Sequence, residues 1–123
     1  MAFPKTALFP PLDQQVSFSG RALGHPARVF ILRLLEEEGP KYVMELVRVL
    51  PLTEGTITEH LKKLRLAGLI DVEEQGLLNL YSLNKPGLLA MYRLQQSLFE
   101  LLGVYEVSVP ASEGEGNKNG GRV

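Results

Sequence analysis

Leu52-Thr53-Glu54-Gly55-Thr56-Ile57-Thr58-Glu59-His60-Leu61-Lys62-Lys63-Leu64-Arg65-Leu66-Ala67-Gly68-Leu69 is the stretch on which the reading of this chain turns. Thr53 is suited to cap a helix start by accepting a hydrogen bond from a free backbone N–H, and Gly68 is the residue type that closes a helix in the left-handed conformation. Between them Ile57, Leu61 and Leu64 recur at helical spacing, so one narrow stripe faces a core. The opposite face carries Thr53, Glu54, Gly55, Thr56, Thr58, Glu59, His60, Lys62, Lys63 and Arg65. Small hydrogen-bonding residues stand at its beginning and cations follow. That order suits a helix whose N-terminus meets bases and phosphates in a DNA major groove. An ordinary solvated face would read the same on this helix alone, so its neighbours must decide.

Upstream, Lys41 to Leu50 reads as a short helix with Val43, Leu46, Val47 and Leu50 on one face, and Pro51-Leu52 is the turn into Thr53. Two short helices so joined, the second capped and polar outside, describe a helix-turn-helix. Downstream of Gly68 the period changes to two. Ile70 and Val72 alternate with Asp71 and Glu73, Gln75-Gly76 supplies a tight turn, and Leu78, Leu80 and Ser82 alternate with Leu77, Asn79 and Tyr81. A hairpin attached there is a wing, with Gln75, Gly76, Leu77 and Asn79 at its tip. The fold predicted is mainly α with a small β-hairpin, a winged helix-turn-helix in the order α-α-α-α-β-β-α.

The flanks complete it. Residues 1–11 hold Pro4, Pro10 and Pro11 and read as an extended arm. Asp13 is placed to cap a short helix through about Leu23. His25-Pro26 starts a firmer helix, with Ala27, Phe30, Ile31, Leu34 and Leu35 on its inner face and Gly39-Pro40 as its stop. Lys85-Pro86-Gly87 ends the hairpin, and Leu88 to Leu102 forms a last helix whose apolar residues cover more of the circumference than one core-facing stripe requires. A homodimer partner is the simplest cover, and a helix sunk wholly in its own core is the other. Val104 to Val109 reads as a short extended segment and residues 111–123, dominated by Gly, Ser, Glu, Asn and Lys, as a disordered tail. The domains expected are therefore an arm over 1–11, a winged-helix body over 12–103 and a flexible tail over 104–123.

With 123 residues, 45% hydrophobic and 22% charged, the chain has room for one domain and a modest core. No apolar run approaches a membrane span, and the Met-Ala-Phe-Pro-Lys start lacks the order of a secretory signal, so the cytoplasm is the default. There is no cysteine, hence no disulfide framework and no thiolate metal site. The net charge is −1, but from Lys41 to Ala67 five cations face three anions, whereas Leu69 to Asn84 holds three anions and no cation. Any electrostatic footprint is thus local to the helix-turn-helix.

The run from Ala22 to Leu35, then Glu45-Leu46, Thr53 to Leu69, Gln75-Gly76 and Leu80 to Asn84 resembles the ArsR/SmtB family of winged-helix transcriptional regulators, over roughly residues 20–102. The resemblance implies a homodimer through the first and last helices, which puts Val16, Leu88, Met91, Tyr92, Leu94, Leu98, Phe99 and Leu102 at the interface. It implies operator binding with the Thr53 to Ala67 helix in the major groove of double-stranded DNA, and repression released by a ligand. The family's metal sensors carry cysteines where this chain has Tyr42 and Met44, and its other metal site draws on histidines of the last helix, whereas the histidines here are His25 and His60. No metal and no cofactor are therefore expected, and the effector is unassigned. Where family members often carry an arginine just after the turn glycine, this chain has Leu77.

Within the reading helix, Thr56, Thr58 and Glu59 point from the first turns toward base edges, while Lys62, Lys63 and Arg65 suit phosphates. Glu59 suits a cytosine amino group or a pair with Lys63, and His60 suits a phosphate or an unremarkable boundary position. Two function classes follow: a sequence-specific DNA-binding dimer, and a winged-helix adaptor that binds protein through its acidic wing and Leu77. Nothing in the chain assembles a catalytic constellation, so no enzyme is expected.

Overall fold

The computed structural model describes residues 5–104 and 106, and its helices begin where the sequence supplies a cap or a proline. Lys5–Leu8 forms a single exposed 3-10 turn in place of an extended arm. The five residues between Pro4 and Pro10 keep their N–H groups, and Phe9 N–H donates to the Thr6 carbonyl at 3.1 Å. Helix α1 (Pro11–Ala22) starts earlier than a cap at Asp13 would allow, because Pro11 itself occupies the first turn. Asp13 lies inside that turn, where a negative charge suits the helix N-terminus.

Helix α2 (Pro26–Glu38) is capped by His25, whose Nδ1 accepts from Ala27 N–H at 3.0 Å. The predicted helix over 41–50 is shorter. Lys41–Tyr42 forms a strand, β1, and α3 covers only Val43–Val47. Two forces set that boundary: β1 pairs with the hairpin, and Glu45 Oε1 accepts from Tyr42 N–H at 2.9 Å, starting the helix just after it.

Helix α4 (Glu54–Leu66) ends as its sequence requires. Gly68 takes φ 78°, its N–H donates to Arg65 O at 2.9 Å, and Leu69 N–H donates to Leu64 O at 3.0 Å. These two bonds form a Schellman motif and turn the chain into β2 (Ile70–Gln75). Strand β3 (Leu78–Leu83) returns antiparallel, from Gln75 opposite Leu78 to Ile70 opposite Leu83. The loop is Gly76-Leu77, one residue later than Gln75-Gly76, with the positive φ of 66° on its first residue, where a II′ turn asks for glycine. Strand β1 adds to the other side of β3, giving a three-stranded sheet in the order β1-β3-β2.

Helix α5 (Lys85–Leu101) starts before Leu88. Asn84 Oδ1 accepts from Gly87 N–H at 2.8 Å, and Pro86 is harmless in a first turn.

The core gathers Ala22, Ile31, Leu34, Leu35, Leu46, Ile57, Leu61, Leu64, Leu69, Ile70 and Tyr81. Phe30, expected on the inner face of α2, is 38% exposed, because the inward stripe is Ala27, Ile31, Leu34 and Leu35 and Phe30 lies at its flank. Leu88 and Met91 of α5 pack against this core, yet α5 buries no residue fully. No described helix is long and apolar enough to cross a membrane. Apart from Val104 and Glu106, neither in a strand, the segment expected over 104–109 and the tail over 111–123 lie outside the described residues.

Candidate nucleic-acid interface

Helix α4 divides its surface sharply. Ile57, Leu61 and Leu64 are wholly buried, while Thr53, Glu54, Gly55, Thr56, Thr58, Glu59, Lys62, Lys63 and Arg65 are all exposed. Thr53 Oγ1 accepts from Thr56 N–H at 3.2 Å and also lies 3.0 Å from Thr56 Oγ1, so the capping hydroxyl fixes the first turn. A side chain added at Gly55 would meet nothing within 4 Å. No neighbour among the described residues needs that glycine, although glycine in a helix costs about 1 kcal/mol relative to alanine. The described ion pairs join Lys41 to Glu38 and Lys85 to Glu36, so Glu59 and Lys63 are not held by each other.

His60 departs from the outer face on which the sequence reading set it. It is buried, and its Nδ1 accepts from Arg28 Nε at 3.0 Å, with the His25 ring 4.4 Å away between centroids. Burial, and after it the neighbouring His25, Arg28 and Lys63, holds its pKa below the ordinary 6.5. A neutral imidazole keeps the lone pair that Arg28 needs. His60 thus anchors α4 to α2 and is removed from the candidate contacts.

Arg28 is the residue that sequence reasoning missed. Its Nη1 donates to the carbonyls of Arg21 and Ala22 at 3.0 and 3.2 Å, so one guanidinium ties α1, α2 and α4 together. Its one sequence signal is its place three residues after the His25 cap, in the first turn of α2.

At the wing, Gln75 is tied back by the Tyr42 hydroxyl, which donates to Gln75 Oε1. Gly76, Leu77 and Asn79 are exposed, and Leu77 is fully so at 103%. Glu73 and Glu74 are exposed on the same strand, and no cation stands among residues 70–84.

The remaining candidates lie on α1 and α5, which pack together. Val16, Leu94 and Leu98 are half-buried, and Tyr92, Phe99 and Leu102 are exposed. Beside the two helices runs an open groove of about 910 Å³, lined by Phe18, Met91 and Leu94 among others.

Comparison with known proteins identifies the family and the fold. The family described as bacterial regulatory protein, arsR family, matches residues 25–72, from the cap of α2 into β2. Over 61 residues the chain is 36% identical to the HTH-type transcriptional regulator MJ1325 of Methanocaldococcus jannaschii, a match spanning 50% of this chain and 68% of that protein. Rv0081 of M. tuberculosis superposes with a TM-score of 0.60 at 26% identity, covering 76% of this chain and 94% of that one. The homodimeric winged helix-turn-helix DNA-binding domain Mb0332 of Mycobacterium bovis gives 0.58 at 23% identity, covering 88% and 100%, a likeness of fold. The chain belongs to the ArsR family of winged helix-turn-helix DNA-binding transcriptional regulators, which are not enzymes.

Proposed function

We propose that this protein is a cytoplasmic repressor that binds operator DNA as a homodimer, reading bases with α4 of each subunit and doing so without the metal sites usual in its family. The observation that carries the reading is the free outer face of α4: eight residues from Glu54 to Arg65 point to solvent on a helix whose other side is wholly buried. Thr56, Thr58 and Glu59 suit base edges, Lys62, Lys63 and Arg65 suit phosphates, and the open space over Gly55 suits close approach of the duplex. Dimerisation is supported by Tyr92 and Phe99 on α5 and Leu102 just after it, an apolar set that the described residues leave largely uncovered. Two such helices about 34 Å apart match one turn of duplex. Repression needs only that the operator be occupied.

The metal-free reading rests on residue chemistry. The chain has no cysteine, and Tyr42 is engaged through its hydroxyl with Gln75 and through its N–H with Glu45. A soft metal finds no thiolate there.

Fluorescence anisotropy with a labelled duplex, selected by the protein from genomic fragments, tests the proposal. Six to eight neutralised phosphates per dimer give a slope of log affinity against log salt of about −5 to −7. A slope near zero overturns it. The adaptor reading draws on the fully exposed Leu77 and the acidic wing, and it requires a protein partner to stay bound when Lys62 and Lys63 are both changed to Glu.

A further inference from the structure

Helices α1, α2 and α4 meet at a corner where three cations converge. Phe18, Arg21 and Ala22 of α1, Arg28 of α2, and Lys63 and Leu66 of α4 line one pocket of about 130 Å³. No acidic residue among the described ones lines it, and neither described ion pair involves Arg21, Arg28 or Lys63. Arg28 cannot swing away, since its guanidinium is committed to His60 and to two carbonyls at the end of α1. Arg21 and Lys63, both exposed, complete the ring from the solvent side. Like charges gathered with no counter-charge repel, and an anion placed between them relieves that repulsion.

The size of the pocket limits the anion. It falls well short of the roughly 300–1,000 Å³ of sites that enclose organic ligands, so one oxyanion group fits and an effector molecule does not. Its position names the source. Lys63 belongs both to this corner and to the outer face of α4, and Leu66, 65% exposed, lines the pocket one turn further along the helix. Arginines and lysines that flank a reading helix, without themselves reading bases, hold the backbone and set register.

We propose that Arg21 and Lys63, with Arg28 fixed behind them, grip a phosphate of the operator backbone beside the groove that α4 enters. Helix α1 is then a DNA-contacting element as well as a packing one. The inference rests on the DNA reading proposed above and extends it to a helix that the family resemblance had assigned to dimerisation.

The test uses the full chain, wild type and Arg21→Gln, with anisotropy on the selected duplex and on an unrelated duplex of equal length across a salt series. The substitution is expected to weaken both complexes by a similar factor and to make the salt slope shallower by about 1 per subunit, with Arg21→Lys restoring the slope. A wild-type slope in Arg21→Gln overturns the corner contact while leaving the DNA reading standing. Absence of salt-dependent binding by the wild-type chain overturns both. Binding of inorganic phosphate at constant ionic strength that Arg21→Gln abolishes, with the DNA slope unmoved, makes the corner a free-anion site and also overturns the proposal.

Discussion

The backbone of Gly87, in the first turn of α5, rests directly on the carbonyl of Gly68, the residue that closes α4. A Cβ at Gly87 would fall inside van der Waals contact with that carbonyl's oxygen and carbon, and neither atom is the movable end of a side chain. The contact is reinforced by Asn84, whose N–H donates to Leu69 O at 3.0 Å while its side chain caps α5. The end of α4 and the start of α5 are therefore joined backbone to backbone. Gly87→Ala is expected to lower stability by about 1–3 kcal/mol, as overpacking does, measured by urea unfolding. Gly20→Ala is the control. Nothing lies within 4 Å of that position in α1, so the gain in helix propensity should stabilise by about 0.5–1 kcal/mol. Equal effects at both sites would mean the Gly87 contact is not tight.

His60 makes stability depend on pH. Its pKa is lowered in the fold, by burial first and then by His25, Arg28 and Lys63, so the unfolded chain takes up the proton before the folded one does. The stabilisation is complete above the ordinary value of 6.5 and is lost as pH falls through the lower folded value. Urea midpoints at about pH 7.5 and pH 5 should differ, with the acid value lower, and His60→Gln should shrink the difference. A midpoint in the variant that varies with pH as strongly as in wild type would assign the effect to another group.

Lys62→Glu with Lys63→Glu removes two exposed cations and adds two anions on the outer face of α4. Folding should be unchanged by circular dichroism. Retention on DNA should be lost, because each phosphate contact removed weakens binding and reduces the salt slope by about 1. Retention at wild-type salt would point to contacts elsewhere.

Phe99 is 49% exposed and Leu98 half-buried on α5. Phe99→Asp puts a charge on the half-exposed outer side of α5 and should yield monomer by light scattering, as should Leu98→Asp. Both variants should bind DNA more weakly, since two half-sites held together gain from effective concentration. A dimer persisting in both would locate the interface off α5.

The elements set by local chemistry could be read from the residues in order. Thr53 and Gly68 bound α4 because a hydroxyl cap and a left-handed glycine act within a few residues of themselves, and the period-two run after Gly68 is a hairpin for the same local reason. What escaped were features set by distant partners. Lys41-Tyr42 is a strand only because it lies opposite Tyr81 and Leu80, some forty residues on. His60 is inside because Arg28, far earlier in the chain, has a guanidinium to share with it. Of the candidate site, the eight exposed residues between Glu54 and Arg65 were legible from helical spacing, whereas Arg21 and Arg28 became visible only once α1 and α2 were packed beside α4.

Because β1 is stitched to β3 and the Tyr42 ring reaches across to Gln75, the entry to α3 and the hairpin tip share one rigid brace. Such a brace couples the tip to the start of α3, so the two are expected to move together. If the proposed repressor lets go of its operator, wing and helix-turn-helix would therefore leave together and not in turn.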